Sequence, residues 1–326
     1  MPPVPAAARR AATLIAVATT IAACGGTDGP DRPERAATLM LDFQPNAVHV
    51  GIYTALARDF DDAEGVRLTV RAPSSSTDAV KLLAGRRTLF AILDIHDLAL
   101  ARERGQDIVG VMAVVQRPLA AVLAQPSIRR PRDLQGARAG VTGLPSDDAV
   151  LDTIVRGVGG DPDRVRRVTI GLQATSALLG RRVDAATAFW NAEGVALRAR
   201  RPEIREFRVD DFGAPPYPEL VLCVARATLV DQPAVVRATV TALRRGYDEA
   251  LGDPESAITA LTDRVRGLDR GAVARELSAV SPAFTARARR YGELDPGRLR
   301  AWAAWEARVG ITRRAPDVAR GFALGF

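Results

Sequence analysis

Residues 89–115 read LFAILDIHDLALARERGQDIVGVMAVV, and this stretch decides the fold class. Its two ends, 89–93 and 108–115, are apolar runs with the length of buried strands. The segment 94–103 between them has the composition of a helix, and Gly105 ends it. A helix between two apolar strands is typical of a βαβ unit, in which parallel strands share a sheet and the helix covers one of its faces.

The same alternation of strands and helices extends in both directions. Further strands are predicted at 37–42, 66–70, 119–124, 138–141, 165–170, 185–189 and 220–224, and helices at 48–60, 77–84, 146–158, 176–179, 191–200, 233–251, 254–265, 270–279 and 296–309. We therefore predict an α/β clamshell of two lobes, each a mainly parallel sheet flanked by helices, with a helical C-terminal extension. Lobe 1 is predicted to comprise 38–118 and 221–326, and lobe 2, inserted between them, 119–220.

The N-terminus has the features of an export signal. An Arg-Arg pair precedes the uncharged apolar run 11–23, which ends in Ile-Ala-Ala-Cys24 and resembles the lipobox of bacterial lipoproteins. Residues 24–37 have the Gly, Pro and Asp content of a tether. We predict a signal peptide at 1–23 and a chain that is lipid-anchored through Cys24 outside the cytoplasm, on the periplasmic face or the cell surface. A plain signal peptide with an incidental cysteine is the alternative.

Charge and cysteine content exclude several classes of protein. Lys and Arg number 45 against 38 Asp and Glu, but the arginines are dispersed among acids without interleaved aromatics, so we predict no nucleic-acid partner. The two cysteines are Cys24 and Cys223, and lipidation of the first leaves the second without a disulfide partner. With His49 and His96 as the two histidines, we expect neither a metal site nor a cofactor.

The turn after the first strand carries candidate binding residues. Its sequence, LDFQPNAVHVG from residue 41, combines an acid, an aromatic ring, an amide and an imidazole: Asp42, Phe43, Asn46 and His49. Ligands of open α/β sheets bind beyond the carboxyl ends of strands, so this turn is a candidate cleft wall. Asp94, with Asp97 nearby, follows another strand and is a candidate for the opposite wall. A helix-capping Asn46 and a solvated His49 are the alternative for the first turn.

Two later stretches also combine an aromatic side chain with an acidic one. The first is FWNAEG, which contains Trp190 and Glu193, and the second is VDDFGAPPYPEL, which contains Tyr217 and Glu219. An aromatic face for stacking and carboxylates that accept from an exocyclic amine suit a flat heterocycle. The alternative for Trp190 is an ordinary core aromatic.

These stretches, in this order, resemble the bacterial pyrimidine-precursor-binding proteins related to thiamine-pyrimidine synthase. That family opens with a pattern close to Leu-Asp-Trp-x-Pro-Asn-x-x-His-x-Gly, and in this chain Phe43 replaces the tryptophan. The similarity covers roughly residues 38–260. It implies the type II periplasmic-binding-protein fold and an ABC-importer solute-binding lipoprotein.

The resemblance also implies a ligand and partners. The ligand is a thiamine pyrimidine precursor of the hydroxymethylpyrimidine or formylaminopyrimidine type, which a monomer captures by hinge closure and hands to an ABC permease and its ATPase. Trp190 would stack on the ring, and Glu193 would hydrogen-bond to it. Asp42 or Asn46 would add a further hydrogen bond, and His49 would orient the neighbouring loop.

Two alternatives remain open beside this interpretation. A thiamine-pyrimidine synthase makes the ring from a histidine side chain and pyridoxal phosphate, which needs a lysine for the Schiff base. Lys81 is the only lysine, and the synthase's cysteine cluster is reduced to Cys223, so we predict that the chain is not an enzyme. A binder of riboflavin or of a sulfonate is the other alternative, although anions favour arginine in the cleft and the candidates here are acids and aromatics.

Overall fold

The computed structural model describes residues 35–75, 77–286 and 288–326. The predicted signal peptide, Cys24 and most of the predicted tether lie outside these residues. The strands are β1 (Arg35–Met40), β2 (Val66–Arg71), β3 (Phe90–Asp94), β4 (Ile108–Val115), β5 (Ala120–Ala124), β6 (Arg138–Val141), β7 (Arg166–Thr169), β8 (Ala185–Phe189), β9 (Arg205–Arg208) and β10 (Leu220–Ala225). The helices are α1 (Val50–Ala57), α2 (Phe60–Ala63), α3 (Asp78–Ala84), α4 (Ile95–Glu103), α5 (Pro145–Arg156), α6 (Ala174–Leu179), α7 (Glu193–Arg200), α8 (Arg226–Asp231), α9 (Pro233–Gly252), α10 (Pro254–Arg264), α11 (Arg270–Thr285), α12 (Pro296–Val309) and α13 (Val318–Gly321). Within the described ranges, no helix is both long enough and apolar enough to cross a membrane.

The strands form two sheets, one in each lobe. The sheet of lobe 1 has the order β2-β1-β3-β10-β4, and the sheet of lobe 2 has the order β7-β6-β8-β5-β9. The chain leaves lobe 1 after β4 and returns to it with β10, so lobe 2 is inserted in the sequence of lobe 1. The predicted fold class, a two-lobed α/β protein with a helical C-terminal region, is confirmed. The residue boundaries of the lobes stay a prediction.

Each sheet contains one strand that runs against its neighbours. β10 is antiparallel to β3 and β4, and β5 is antiparallel to β8 and β9. The pairs that β1 forms with β2 and β3, and β6 with β7 and β8, are parallel. Both reversed strands follow a crossing between the lobes, so each begins at the edge where its parallel neighbours end. Four of the five strands of each sheet thus run in the same direction, so each sheet is mainly parallel with one reversed strand.

Several elements differ from the sequence prediction, among them the short helices α8 and α13, which it lacks. The helix predicted at 48–60 is divided, because Asp59 adopts a left-handed conformation with a φ of 52° between α1 and α2. β1 begins at Arg35, inside the segment predicted to be a tether. The sequence prediction lacks β9, whose polar sequence REFR pairs with β5 at the edge of the second sheet.

The sheet of lobe 1 is buried on both faces. Every residue of β4 and of β10 is buried, as expected for apolar strands covered on both sides. One face packs against the buried side chains of α1, α9, α10 and α11. The other packs against α4 and α12, where Trp302 and Trp305 are fully buried core residues. These helices fix the position of the sheet, and with it the edge at which the candidate site lies.

Helices α1 and α9 cross in direct backbone contact. A Cβ atom placed on Gly246 of α9 would lie 2.2 Å from the carbonyl oxygen of Gly51 on α1. The neighbouring Tyr247 hydroxyl donates a hydrogen bond of 2.8 Å to the carbonyl of Val48, at the base of the turn that carries Asn46. The crossing therefore fixes the position of this turn.

Substitution of Gly246 tests the crossing. Gly246→Ala is expected to lower the free energy of unfolding by about 2 kcal/mol, because the helices must separate to admit the methyl group. Gly252→Ala, at the end of the same helix, is the control, since no atom lies within 4 Å of its added Cβ. Urea denaturation measures both, and equal stability of the two variants would contradict the close contact.

Candidate functional site

A cavity of about 1000 Å³, its open mouth included, lies between the two sheets. The carboxyl ends of the parallel strands of both lobes meet there, which is where open α/β sheets bind ligands. Its walls are largely apolar. Carboxylates from both lobes interrupt them: Asp42, Asp94, Asp97, Asp147 and Glu193. Among the described residues, no lysine, arginine or histidine lines the cavity.

The turn between β1 and α1 forms one wall. Asp42, Phe43 and Asn46 line the cavity from it. The side chain of Asn46 accepts from the backbone N–H of Val48 at 2.8 Å, so Asn46 is a helix cap and a cavity residue at once. The capping role considered for it is therefore present, and its binding role stays a prediction.

His49 lies behind this wall. It is fully buried, which excludes the solvated position considered as an alternative. Its Nδ1 accepts from the backbone N–H of Asn46 at 3.2 Å, so Nε2 carries the proton and donates to Oδ1 of Asp42 at 2.9 Å. His49 does not line the cavity, and its contacts hold the Asp42 carboxylate in place.

The end of β3 and the start of α4 form the floor. Asp94 accepts a 2.7 Å hydrogen bond from the backbone N–H of His96 and caps α4. Asp97, one residue further, accepts a 3.2 Å hydrogen bond from the hydroxyl of Ser146 on α5. This bond joins lobe 1 to lobe 2 across the cavity. Burial, followed by the charges of Asp94 and Asp147, raises the pKa of Asp97 to about 8.

Lobe 2 supplies two further carboxyl groups. Asp147, in the first turn of α5, accepts hydrogen bonds from the backbone N–H and the hydroxyl of Thr142. Burial raises its pKa. Glu193 accepts a 3.3 Å hydrogen bond from the backbone N–H of Phe189, and burial raises its pKa to about 7. Phe189 itself lines the cavity, opposite the wall that carries Phe43.

A buried polar cluster lies directly behind the floor. The ring of His96 contacts Oε1 of Glu306 through Nδ1 at 2.6 Å and the hydroxyl of Tyr217 through Nε2 at 3.0 Å. Burial alone would lower the pKa of His96, but the charges of Glu306 and Asp94 and the hydrogen bond to Glu306 raise it to about 10. His96 is therefore an imidazolium at neutral pH, and it donates through both nitrogens.

Tyr217 and Glu219 belong to this interior and not to the cavity wall. Both are fully buried, and neither lines the cavity; they lie in the segment just before the buried strand β10. Glu219 accepts from the backbone N–H groups of Leu119 and, at 3.1 Å, of Ala120. It thus connects the two points at which the chain crosses between lobes.

Trp190, predicted to stack on a ligand, lies outside the cavity. Its side chain is 3% exposed, and Nε1 donates a 3.0 Å hydrogen bond to the carbonyl of Pro118 at the crossing. The guanidinium of Arg208 lies 4.0 Å above the ring centre and covers it. Phe43 and Phe189 are the aromatic side chains of the wall instead.

The sequence prediction omitted three polar wall residues, Thr142, Asp147 and Thr187. Thr142 and Asp147 follow β6 in the sequence TGLPSD, a strand-to-helix turn like the one that revealed Asp42. The same rule, applied to lobe 2, would have found them. Thr187 sits within β8, and no sequence signal distinguishes it from its apolar neighbours.

Asp94, His96 and Glu219 form a candidate metal-ligand group among the described residues. Their potential ligand atoms lie within 4.8 Å of one another. Both nitrogens of His96 are engaged by Glu306 and Tyr217, so the ring would have to give up a partner to bind a metal ion. The arrangement instead pairs one buried imidazolium with several acids.

The His96–Glu306 pair makes a testable contribution to stability. Glu306→Gln removes the buried counter-ion and is expected to cost about 3 kcal/mol of unfolding free energy at pH 6. Because the folded pKa of His96 is raised, its contribution is complete below its unfolded pKa and disappears as the pH rises toward about 10. The difference from the native chain should therefore narrow between pH 7 and 10 in denaturation curves. Glu203→Gln, at an exposed position, is the control, and a pH-independent difference would contradict the charged pair.

Comparison of the sequence with known proteins assigns the chain to a family. The sequence profile described as NMT1/THI5 like matches residues 46–257. A formylaminopyrimidine-binding protein of Halalkalibacterium halodurans is 30% identical over 253 residues, which are 76% of this chain and 77% of that protein. A 4-amino-5-hydroxymethyl-2-methylpyrimidine phosphate synthase of Legionella pneumophila is 24% identical over 225 residues, 68% of this chain and 71% of that protein.

A solved structure shares the fold. The alkanesulfonate-binding protein of Xanthomonas axonopodis bound to MOPS superposes with a TM-score of 0.71, covering 88% of this chain and 98% of that one. At 15% identity this likeness concerns the fold alone. The profile match and the 30% identical relative go further. The chain belongs to the NMT1/THI5-like family.

Proposed function

We propose that the chain is the extracytoplasmic solute-binding component of an ABC importer and that it captures a pyrimidine precursor of thiamine between its lobes. The observation that carries this proposal is the character of the cavity, whose walls combine apolar and aromatic side chains with carboxyl groups and, in the part of the chain that the structure describes, have no basic side chain. The relative that binds formylaminopyrimidine supports the same ligand class.

The chemistry of an aminopyrimidine fits these walls. The ring is flat and apolar on its faces, so the rings of Phe43 and Phe189 offer contacts worth about 0.5–1.5 kcal/mol beyond area burial. Its exocyclic amine donates hydrogen bonds, and the carboxylates of Asp42 and Glu193 accept them. Hydroxymethyl- and formylaminopyrimidines share both features.

Capture requires that the lobes close on the ligand. The walls come from both lobes, so contacts to both exist only in the closed form, and a ligand that makes them stabilises closure. The hydrogen bond from Ser146 to Asp97 joins the lobes in the same way. We infer that this contact forms on closing.

A sulfonate ligand is disfavoured by charge. Binding of an anion calls for arginine, lysine or a free helix N-terminus in the cleft. Among the described residues, the wall offers neither a lysine nor an arginine to neutralise it. The chain shares its fold with an alkanesulfonate-binding protein, but we do not propose the same ligand for it.

A synthase is the second candidate, because relatives in the family carry that name. Pyridoxal phosphate needs a lysine at the reacting centre and donors for its phosphate. Lys81 is exposed on α3 and does not line the cavity. Cys223 is buried in β10, and burial raises the pKa of its thiol well above its usual value. These residues do not fit the cofactor, so we propose a binder and not an enzyme.

Calorimetry with a panel of ligands tests the binding function. The chain is expected to bind hydroxymethylpyrimidine and its formylamino analogue at least tenfold more tightly than riboflavin or taurine. Phe43→Ala should weaken binding about tenfold by removing a ring contact. Trp190→Phe, which changes a residue outside the wall, is the matched control and should leave affinity within twofold.

Two results would contradict this function. One is binding of taurine alone. The other is an imine absorbance with pyridoxal phosphate that Lys81→Ala abolishes, which would favour the synthase.

Membrane attachment is the remaining part of the proposal, and it concerns a residue outside the described ranges. We infer that Cys24 carries a lipid, because it follows an apolar export signal and precedes a Gly- and Pro-rich segment. Cys24→Ala is expected to move the chain from the membrane fraction to the soluble fraction and to abolish labelling with a radioactive fatty acid. Cys223→Ala, the change at the other cysteine, should affect neither. Membrane association of both variants would contradict the anchor.

A further inference from the structure

The edge of the lobe 1 sheet that lies opposite the cavity is rich in arginine. Strands β1, β2, β3 and β4 run in the same direction, toward the cavity, so their amino-terminal ends lie at this opposite edge together with the carboxyl end of β10. Exposed arginines lie at these ends: Arg35 begins β1, Arg86 and Arg87 precede β3, and Arg104 precedes β4.

The C-terminal region brings two further exposed arginines to the same edge. The backbone N–H of Arg313 donates a 2.7 Å hydrogen bond to Oε1 of Glu103, at the end of α4. The side chain of Arg226, which directly follows β10, donates to the carbonyl of Arg320. We call the surface that these exposed arginines form the basic edge: Arg35, Arg86, Arg87, Arg104, Arg313 and Arg320.

Nearby acids do not neutralise the basic edge. Asp107, in the turn before β4, already pairs with Arg102 and Arg226. Within the described ranges, none of the arginines of the basic edge forms an ion pair. Glu103 and Asp231 are exposed acids at the same edge, and they are fewer than these arginines. The edge therefore has an excess of positive charge.

The proposed lipid anchor holds this edge near the membrane. Arg35 lies eleven positions after Cys24, and a fully extended chain of that length reaches at most about 40 Å. A lipid on Cys24 therefore keeps the amino-terminal end of β1 within that distance of the bilayer surface. The basic edge surrounds this end of β1, whereas the outer edge of lobe 2 lies on the other side of the cavity.

We propose that the basic edge is a contact surface for anionic lipid headgroups. This inference rests on the lipid anchor of the proposed function and adds an orientation to it. Arginines close to an anionic leaflet are attracted to it, and the attraction accumulates over the patch. Val230, which is 69% exposed on α8 beside the basic edge, adds an apolar contact. The cavity lies at the opposite edge of the same sheet, so this contact does not cover it.

Lobe 2 offers a matched control, because the same turn occurs at its outer edge. Arg86 and Arg181 each follow a glycine at the end of a helix, and each has a φ of 54°. A second arginine comes next in both turns, Arg87 in lobe 1 and Arg182 in lobe 2. The turn of lobe 2 precedes β8, whose carboxyl end lines the cavity, so it lies away from the cavity and from the anchor.

Energy transfer to labelled lipid measures the contact on the full chain anchored in vesicles. A donor dye is attached at Val230→Cys, or at Val168→Cys on β7 of lobe 2, and the acceptor is a dye on lipid headgroups. Cys24 carries the lipid and Cys223 is buried, so the donor reacts at the introduced cysteine. The Val230→Cys label should show at least twofold greater transfer in phosphatidylglycerol vesicles than in phosphatidylcholine vesicles, and about 0.5 M salt should remove this difference. The Val168→Cys label should show no dependence on lipid charge.

Variants locate the effect at the basic edge. Arg86→Glu combined with Arg87→Glu should abolish the dependence on lipid charge, whereas Arg181→Glu combined with Arg182→Glu should retain it. Arg86→Lys combined with Arg87→Lys keeps both charges and should retain it as well. Thermal unfolding checks that each variant folds, and the lipid and salt dependence tests the native surface even if a variant does not.

Two results would overturn the proposal. One is transfer to the Val230→Cys label that does not depend on lipid charge. The other is an equal loss of that dependence in the two pairs of glutamate variants. The vesicles contain no other protein, so a surface that binds only a protein partner would give the first of these results.

A last comparison separates this inference from the proposed function. If the chain carries no lipid, it will leave the vesicles on gel filtration, and the anchor is wrong. Sedimentation of the unanchored chain with phosphatidylglycerol vesicles then tests the basic edge. At least tenfold weaker binding of the Arg86→Glu, Arg87→Glu variant would support the surface, and equal sedimentation of variant and native chain would overturn it. Calorimetry with pyrimidines uses no lipid, so its result tests the ligand alone.

Discussion

The buried carboxylate of Glu219 holds the two crossings of the chain together. It lies at the start of β10, where the chain re-enters lobe 1, and it accepts the backbone N–H groups of Leu119 and Ala120, where the chain leaves for lobe 2. A buried carboxylate without such donors would cost several kcal/mol, so the two crossings have to remain side by side. The cavity walls on either side, from β3 and β8, are positioned by these strands.

A series of buried polar contacts begins at this point. Glu219 neighbours Asp94 and His96, and His96 continues to Tyr217 and Glu306. Trp305 stacks on Tyr217 with ring centres 5.7 Å apart, so the helical C-terminal region closes the cluster from behind. The result is a rigid, charged floor beneath a cavity whose other walls are apolar, which is the arrangement that orients a small polar ligand.

The sequence was sufficient for all the strands except β9, for most helices and for one wall of the cavity, because these depend on local patterns. Asp42, Phe43, Asn46 and Asp94 follow strand ends, and the ends of parallel strands meet at one edge of a sheet. Glu193 lies on the wall as well. Tyr217 and Trp190 do not, because the direction of a side chain near a crossing depends on both lobes. The Pro118 carbonyl that binds Trp190 is 72 residues away in sequence, and no local pattern reveals such a partner.

The net charge of the whole chain is a poor guide to the charge of the cavity. The sequence carries a net charge of +7, yet the described residues that line the cavity include five carboxylic acids and no basic side chain. Several of the described arginines pair with acids elsewhere, at exposed or half-buried positions, such as Arg138 with Asp184 and Arg226 with Asp107. Screening by water and salt reduces the influence of such charges within about 10 Å, whereas the cavity acids act in a medium of low polarity. The field that a ligand meets is therefore set by the buried acids and His96. A basic protein of this fold can present an acidic cavity.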